Sequence, residues 1–322
     1  MAGNLVKRLT YFSFIAILLA AFSCKDRLDY KWKKIYSSGN FSHIKVKCLQ
    51  DSRLLVFVDN VSSENLLYSE DAGDHFIDLG YKGHFSNVLA YDKKKNQIYT
   101  GGLKETILYR YDFRKKRWQV FSRPHGTLNH IEVSRTRLYV LVNSTLYYAK
   151  LSNHLKFRPV YSEVSNFAIF QRKKKKPETI FLTGKDWFWV PYNFRKKSWR
   201  NVTPGLAKED SLVIASPASC NLSVFQDGTW FRSDDCKEFS EHPVGLFDIV
   251  GVSIDPSDKK KMVIATRGSG IYETQNHGIS FRYLGLKSQN VFSFDLDRKT
   301  KTLYIGTSNL LLDNHVFRLK LK

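Results

Sequence analysis

A short apolar strand recurring every 41 to 43 residues, aromatic anchors 39 to 42 residues apart, and no amphipathic helical run after residue 24 together predict an all-β chain. The expected fold is a seven-bladed β-propeller of four-stranded antiparallel blades. The recurring segments are Leu54–Val58, Ile98–Thr100, Leu138–Val142, Ile180–Thr183, Leu222–Phe225, Val263–Thr266 and Leu303–Thr307. Their centres, Val56, Tyr99, Val140, Phe181, Ser223, Ile264 and Ile305, stand 43, 41, 41, 42, 41 and 41 residues apart. A helical array of similar period would need runs of about ten or more residues with 3.6-residue spacing.

The N-terminal residues are of a different kind. Lys7 and Arg8 precede an apolar run from Tyr11 to Phe22 that is too short to span a bilayer, and small residues lead into Cys24. This is the order of an export signal, assigned to residues 1–23. Ala21-Phe22-Ser23-Cys24 resembles the lipobox of bacterial lipoproteins, which implies lipidation of Cys24. Ala21 stands where that family usually has Leu, and Phe22 where it has a small residue. A plain secretion signal and an uncleaved anchor are the alternatives. Residues 24–29 then form a tether and 30–322 the propeller, with no Pro-, Gly- or Ser-rich linker to divide it.

The first repeat parses into strand A at His43–Lys47, B at Leu54–Val58, C at Leu66–Ser69 and D from Phe76. Between C and D lies Ser69-Glu-Asp71-Ala-Gly73-Asp-His-Phe76, and Thr274-Gln-Asn276-His-Gly278-Ile-Ser280-Phe281 repeats the pattern. Both resemble the Asp-box, S-x-D-x-G-x-[ST]-[FW], of the BNR-repeat propellers that include sialidases and sortilin-type receptors. A third, shorter copy runs from Ser233 to Phe239. The resemblance implies a structural role for Ser69, Asp71, Gly73, Phe76, Thr274, Asn276, Gly278 and Phe281. Side-chain oxygens bond backbone N–H groups, the glycine supplies φ > 0, and the aromatic ring packs between blades.

The anchors Phe76, Trp118, Phe157, Trp199, Phe239 and Phe281 keep the register. The last repeat lacks one, because the chain ends in a C strand, Val316–Leu321. Tyr30-Lys-Trp32-Lys-Lys-Ile-Tyr36 reads as the missing D strand, so the N-terminal strand is expected to complete the last blade and close the ring. Among the remaining cysteines, Cys220 and Cys236 fall in two turns of one blade and are a candidate disulfide, leaving Cys48 as a buried free thiol.

The net charge is +21, and 21 of the 51 Lys and Arg residues fall in A–B and C–D turns, which should emerge from one end of the blades. Lys93, Lys94, Lys95, Lys173, Lys174, Lys175, Lys176, Lys259, Lys260 and Lys261 lie in A–B turns, and Lys115 and Lys116 in a C–D turn. The tether would enter at the same end, and its six residues reach at most about 20 Å. An anionic membrane surface is therefore the expected partner of this face, each cation contributing about 1 kcal/mol. Nucleic acid is not expected for an exported chain.

The opposite end carries His43, His84, His125, His130, Arg123, Arg267 and Trp187 as candidate ligand residues. No zinc spacing, phosphate loop or Ser/His/Asp set appears, so neither metal nor cofactor is expected. No Arg-Ile-Pro-type motif of sialidases precedes Ser69, and Arg123 and Arg267 alone do not make up their arginine triad. The reading is a non-catalytic binding or scaffold module of the cell envelope, monomeric, membrane-anchored or else secreted, whose far face takes a protein or glycan. A divergent glycan hydrolase on the same scaffold is the alternative.

Overall fold

The computed structural model describes residues 30–39, 42–60, 64–83, 88–102, 106–170, 179–184, 187–189, 201–204, 212–216, 221–226, 228–233, 240–255, 258, 260–309 and 313–321. None of these is helical. Trp32–Lys322 forms one compact unit. After β1 (Lys33–Ser38), the strands come in groups of four. The first group is β2 (Ser42–Gln50), β3 (Arg53–Asn60), β4 (Glu64–Ser69) and β5 (Ile77–Asp78). Then follow β6 (Leu89–Asp92), β7 (Gln97–Thr100), β8 (Ile107–Asp112) and β9 (Arg117–Ser122). The third group is β10 (Leu128–Val133), β11 (Arg137–Val142), β12 (Thr145–Lys150) and β13 (Arg158–Tyr161). The fourth is β14 (Asn166–Phe170), β15 (Thr179–Thr183), β16 (Trp187–Trp189) and β17 (Asn201–Pro204). The fifth is β18 (Leu212–Ser216), β19 (Asn221–Gln226), β20 (Thr229–Ser233) and β21 (Ser240–Pro243). The sixth is β22 (Ile249–Ile254), β23 (Met262–Thr266), β24 (Gly270–Thr274) and β25 (Arg282–Gly285). The chain ends with β26 (Val291–Asp297), β27 (Thr302–Asn309) and β28 (Asn314–Lys320).

Five of these groups are separate four-stranded antiparallel sheets, and β1–β5 with β26–β28 form an eight-stranded one. All seven apolar segments singled out from the sequence fall in the second strand of a group, β3, β7, β11, β15, β19, β23 and β27. Their residues are apolar in unbroken runs because both faces are covered: Leu54–Val58, Leu138–Val142 and Met262–Thr266 are buried at every position. The fourth strands β5 and β21 are mostly exposed and β9 is half exposed, so in these three groups burial falls toward the fourth strand.

Neighbouring groups pack face to face through apolar clusters. Leu55, Phe57 and Tyr68 meet Ile98 and Tyr111; Tyr99 and Leu108 meet Ile131 and Val140; Tyr139 and Leu146 meet Phe167 and Leu182. On the other side of the first group, Ile44, Val46 and Val56 pack on Tyr304 and Val316. The N-terminal strand β1 pairs antiparallel with β28, Lys33 opposite Arg318 and Ser38 opposite Asn314.

Candidate functional site

Five cross-turn backbone bonds fix which turns share an end. Ala72 N–H donates to Ser52 O at 2.8 Å, Phe113 to Asn96 at 3.2 Å, Leu151 to Thr136 at 2.9 Å, His277 to Lys260 at 3.1 Å and Leu321 to Lys301 at 2.9 Å. In each of these groups the turn after the first strand therefore lies against the segment after the third. The lysine turns are built on aspartates. Asp92 Oδ1 accepts from Lys94 N and Lys95 N at 3.0 and 3.1 Å. Asp112 Oδ1 accepts from Arg114 N and Lys115 N at 2.9 and 3.1 Å, and Asp297 Oδ1 from Lys299 N at 3.0 Å. The turns close with αL residues, Asn96, Lys116 and Lys301 (φ 54°, 48° and 51°). With the backbone so held, Lys93, Lys94, Lys115, Lys116, Lys260 and Lys261 project into solvent. Lys95 is half-buried, its Nζ 3.4 Å from Leu151 O. Lys173–Lys176 and Lys259 lie outside the described residues, as do Cys24, His84, Cys220 and Cys236.

The two box-like turns share one hydrogen-bond pattern. Ser69 Oγ accepts from Gly73 N at 2.8 Å and Asp71 Oδ1 accepts from His75 N at 2.9 Å. Thr274 Oγ1 accepts from Gly278 N at 3.0 Å and Asn276 Oδ1 from Ser280 N at 3.0 Å. His75, the departure from the motif, does the work of Ser280. Its ring Nδ1 lies 2.6 Å from Asp71 Oδ2, as Asn276 Nδ2 lies 2.8 Å from Ser280 Oγ. The bonds from His75 and Ser69 hold the Asp71 carboxyl far below its usual range, and the same contact raises His75. Gly73 and Gly278 have φ of 89° and 79°, as the motif requires. Phe76 meets Tyr36 edge-on at 5.6 Å, and Phe281 meets Tyr272 at 6.5 Å.

At the other end the candidates divide. Arg123 is buried, and its guanidinium donates to the carbonyls of Gly102 (2.8 Å), Pro124 (2.9 Å), Gly126 (3.0 Å) and Ile107 (3.3 Å). It clamps two loops and is not presented to a ligand. His125 and Arg267 are exposed. Trp187 lies in β16, its side chain outside the described residues. His43 stacks on Phe292 at 5.0 Å with its Nδ1 bonded to Ser308 Oγ. His130 is the third residue of β10, after a register shift between Leu128 and His130. Bulges of this kind re-aim side chains, and the His130 ring packs on Phe167 at 4.7 Å on the wall of a central cavity.

That cavity, about 550 Å³, is walled by β2, β6, β10, β22 and β26. Sequence reasoning singled out only His130 among its polar residues; Lys45, Lys47, Asn129, Glu132 and Ser293 line it too. Lys47 Nζ is 3.2 Å from Asp295 Oδ2, and this carboxylate keeps the ammonium charged against the cost of burial. Lys45 is lowered to about 8 by burial and by the like charge of Lys47. Glu132 Oε2 accepts from Ile169 N at 2.9 Å and Oε1 faces His130 Nε2 at 3.5 Å. Asp295 Oδ2 also accepts from Cys48 N at 2.8 Å. Both carboxylates are thus engaged by the wall itself. Cys48, expected to be buried, is half-exposed on this wall, and its thiol is pushed well above the usual range by its surroundings. Among the described residues no cluster of three His, Cys, Asp or Glu side chains could hold a metal ion.

No family model matches the sequence, and no curated protein is similar to it. Solved structures are. One described as YCF48 bound to D1 peptide aligns with a TM-score of 0.64 at 11% identity, over 92% of this chain and 98% of that one. YCF48 from Cyanidioschyzon merolae gives 0.63 at 10% identity, over 90% and 98%. The WD40 β-propeller domain of Doa1 gives 0.66 at 12% identity, over 89% and 97%. The fold is a β-propeller. At this identity the likeness carries the architecture and no activity.

Proposed function

We propose that this propeller is a non-catalytic binding scaffold of the cell envelope, tethered through a lipid on Cys24. The lysine-turn end faces an anionic membrane surface and the opposite loop end receives a protein partner. In this reading the eight-stranded sheet counts as two blades, which makes seven, with β1 closing the ring against β28 and the two box-like turns marking an Asp-box propeller. The observation that carries it is the cross-turn bond between Phe113 and Asn96, which sets the exposed lysines of two different turns, Lys93 and Lys94 and Lys115 and Lys116, at one end of the sheet. YCF48, a propeller of similar shape, has been solved with a peptide bound, which supports a protein partner for the free end. The engaged state of Glu132 and Asp295 favours binding over glycan hydrolysis.

The test is co-sedimentation of the Cys24→Ser chain with phosphatidylglycerol vesicles and with neutral vesicles. Charge reversal at Lys93, Lys94, Lys115, Lys116, Lys260 and Lys261 should abolish binding to the anionic vesicles. Undiminished binding would leave these lysines as solvated turn residues and remove the membrane-facing half of the reading. Crosslinking of the lipidated chain in its own envelope should capture a protein through the face that carries His125 and Arg267. Capture of none there would remove the other half.

A further inference from the structure

The turn between β24 and β25 carries Ile279, which is 84% exposed and the most exposed large apolar residue among those described. The fold does not ask for it. Its counterpart in the first box-like turn is Asp74, and each follows the glycine of its box. Their amides make the same bond, Asp74 N to Asp71 O at 3.4 Å and Ile279 N to Asn276 O at 3.3 Å. One backbone form thus takes either side chain. Asp74 is held by Lys33 and Arg318, whereas Ile279 stands in water. A lone exposed apolar residue is ordinary in itself, but the surroundings of this one are not.

The bond from His277 N–H to Lys260 O, at 3.1 Å, sets this turn against the one that bears Lys260 and Lys261, both exposed. Lys261 has Asp258 at 3.6 Å, and Lys260 has no ion-pair partner among the described residues. The nearby Glu273 is taken by Arg282. The N-terminal strand also enters here. Trp32 Nε1 donates to Leu284 O, in the strand that leaves the turn. Strand β1 begins with Lys33 opposite Arg318, close to where Leu321 N–H reaches Lys301 O at the end of β28. It therefore starts at the lysine-turn end, beside the sixth group.

We infer that Ile279 is a membrane-inserting residue, entering the acyl boundary of an anionic bilayer while Lys260 and Lys261 stay at the level of the phosphates. The inference rests on the membrane-facing reading proposed above and names the point at which that end penetrates. An apolar side chain flanked by cations is what an interfacial contact requires, one part buried below the headgroups and the other drawn to their charge. In the same reading the lipid on Cys24 is eight residues from Trp32, at most about 30 Å. The tether would thus hold this turn, ahead of the rest of the end, against the surface.

Two measurements on the Cys24→Ser chain with mixed phosphatidylglycerol and phosphatidylcholine vesicles test the inference. An environment-sensitive fluorescent amino acid at position 279 should shift to the blue when vesicles are added. The same probe at 247, an exposed position at the opposite end, should not. In co-sedimentation Ile279→Ser should weaken binding about tenfold, the worth of burying one such side chain. That deficit should persist from about 0.1 M to about 0.5 M salt, where the share of the lysines is screened. The variant should fold as the parent does, since the matching position holds Asp74. An unshifted probe at 279 would overturn the inference, as would an equal shift at 247. Ile279→Ser binding as tightly as the parent, while charge reversal of the lysines abolishes binding, would leave the contact to charge alone and overturn it too. Binding that survives the charge reversal would remove the membrane-facing reading and this inference with it.

Discussion

The indole of Trp32 donates through Nε1 to the carbonyl of Leu284, 252 residues away, at 2.7 Å. Trp118 makes the same bond to Leu79 at 2.8 Å. In both cases a tryptophan in or just before an edge strand is bolted to the fourth-strand region of another group. The N-terminal segment thus behaves toward β25 as β9 behaves toward β5. Replacing either tryptophan by Phe keeps the ring and removes the donor, leaving a partly buried carbonyl short of a partner. Each change should cost about 1 kcal/mol, read as an equal fall in the thermal midpoint for the two variants. A fall for Trp118→Phe with none for Trp32→Phe would show that the two segments are not equivalent.

Removal of β1 exposes the backbone edge of β28 from Asn314 to Arg318, to which β1 is now paired. It also takes away Lys33, which with Arg318 holds Asp74 at 2.8 and 3.0 Å. An unpaired edge of this length recruits other strands. A chain lacking residues 1–38 should therefore elute as dimers and larger species in size-exclusion chromatography with light scattering. A stable monomer would mean that β1 is dispensable.

Asp71 and Asn276 do the same job with different charge, so Asp71→Asn should fold normally whereas Asp71→Ala should not fold as stably. The Asp71 carboxyl is depressed in the folded chain, so its contribution is present above the unfolded value, near 3.8, and is lost as the pH falls through the folded one. Asp71→Asn should accordingly flatten the acid limb of the stability profile below about pH 4. An unchanged acid limb would show that His75 and Ser69 do not favour the charged form.

The strands were legible because second strands such as β3, β7, β11, β23 and β27 are covered on both faces, which leaves an apolar run that chain order alone reveals. The turns were legible too: an aspartate ending a strand before Lys or Arg, as at Asp92, Asp112 and Asp297, encodes an Asx-type turn. The cavity was not. Lys45 and Lys47 alternate with Val46 as any half-exposed strand would, and only the folded chain brings them to one cavity wall with Glu132. The signal was nonetheless there, in polar residues on first strands that should be the most buried: Lys45, Lys47, Glu132, Ser293 and Asp295. Arg123 misled for the converse reason. Its carbonyl partners come from two separate loops, and no local pattern announces that they converge.

Lys45 should make the fold more stable as the medium becomes alkaline. Its folded value, near 8, lies below the ordinary 10.5. The unfolded chain therefore binds more protons than the folded one between those values, and stability rises with pH across that window. Below about pH 8 both states carry the charge and the penalty is constant. Lys45→Met removes both the buried charge and its repulsion of Lys47, and should raise stability near pH 7 by up to about 3 kcal/mol, the size of the shift converted at about 1.4 kcal/mol per unit. The gain should shrink toward pH 10, where Lys45 is neutral in the folded chain. Lys47→Met should do the opposite, because it leaves Asp295 without its cation on the cavity wall. Urea denaturation of the three proteins at about pH 7 and about pH 10 reads both signs. A destabilised Lys45→Met at pH 7 would mean that the contacts Lys45 makes in the fold outweigh the cost of burying its charge.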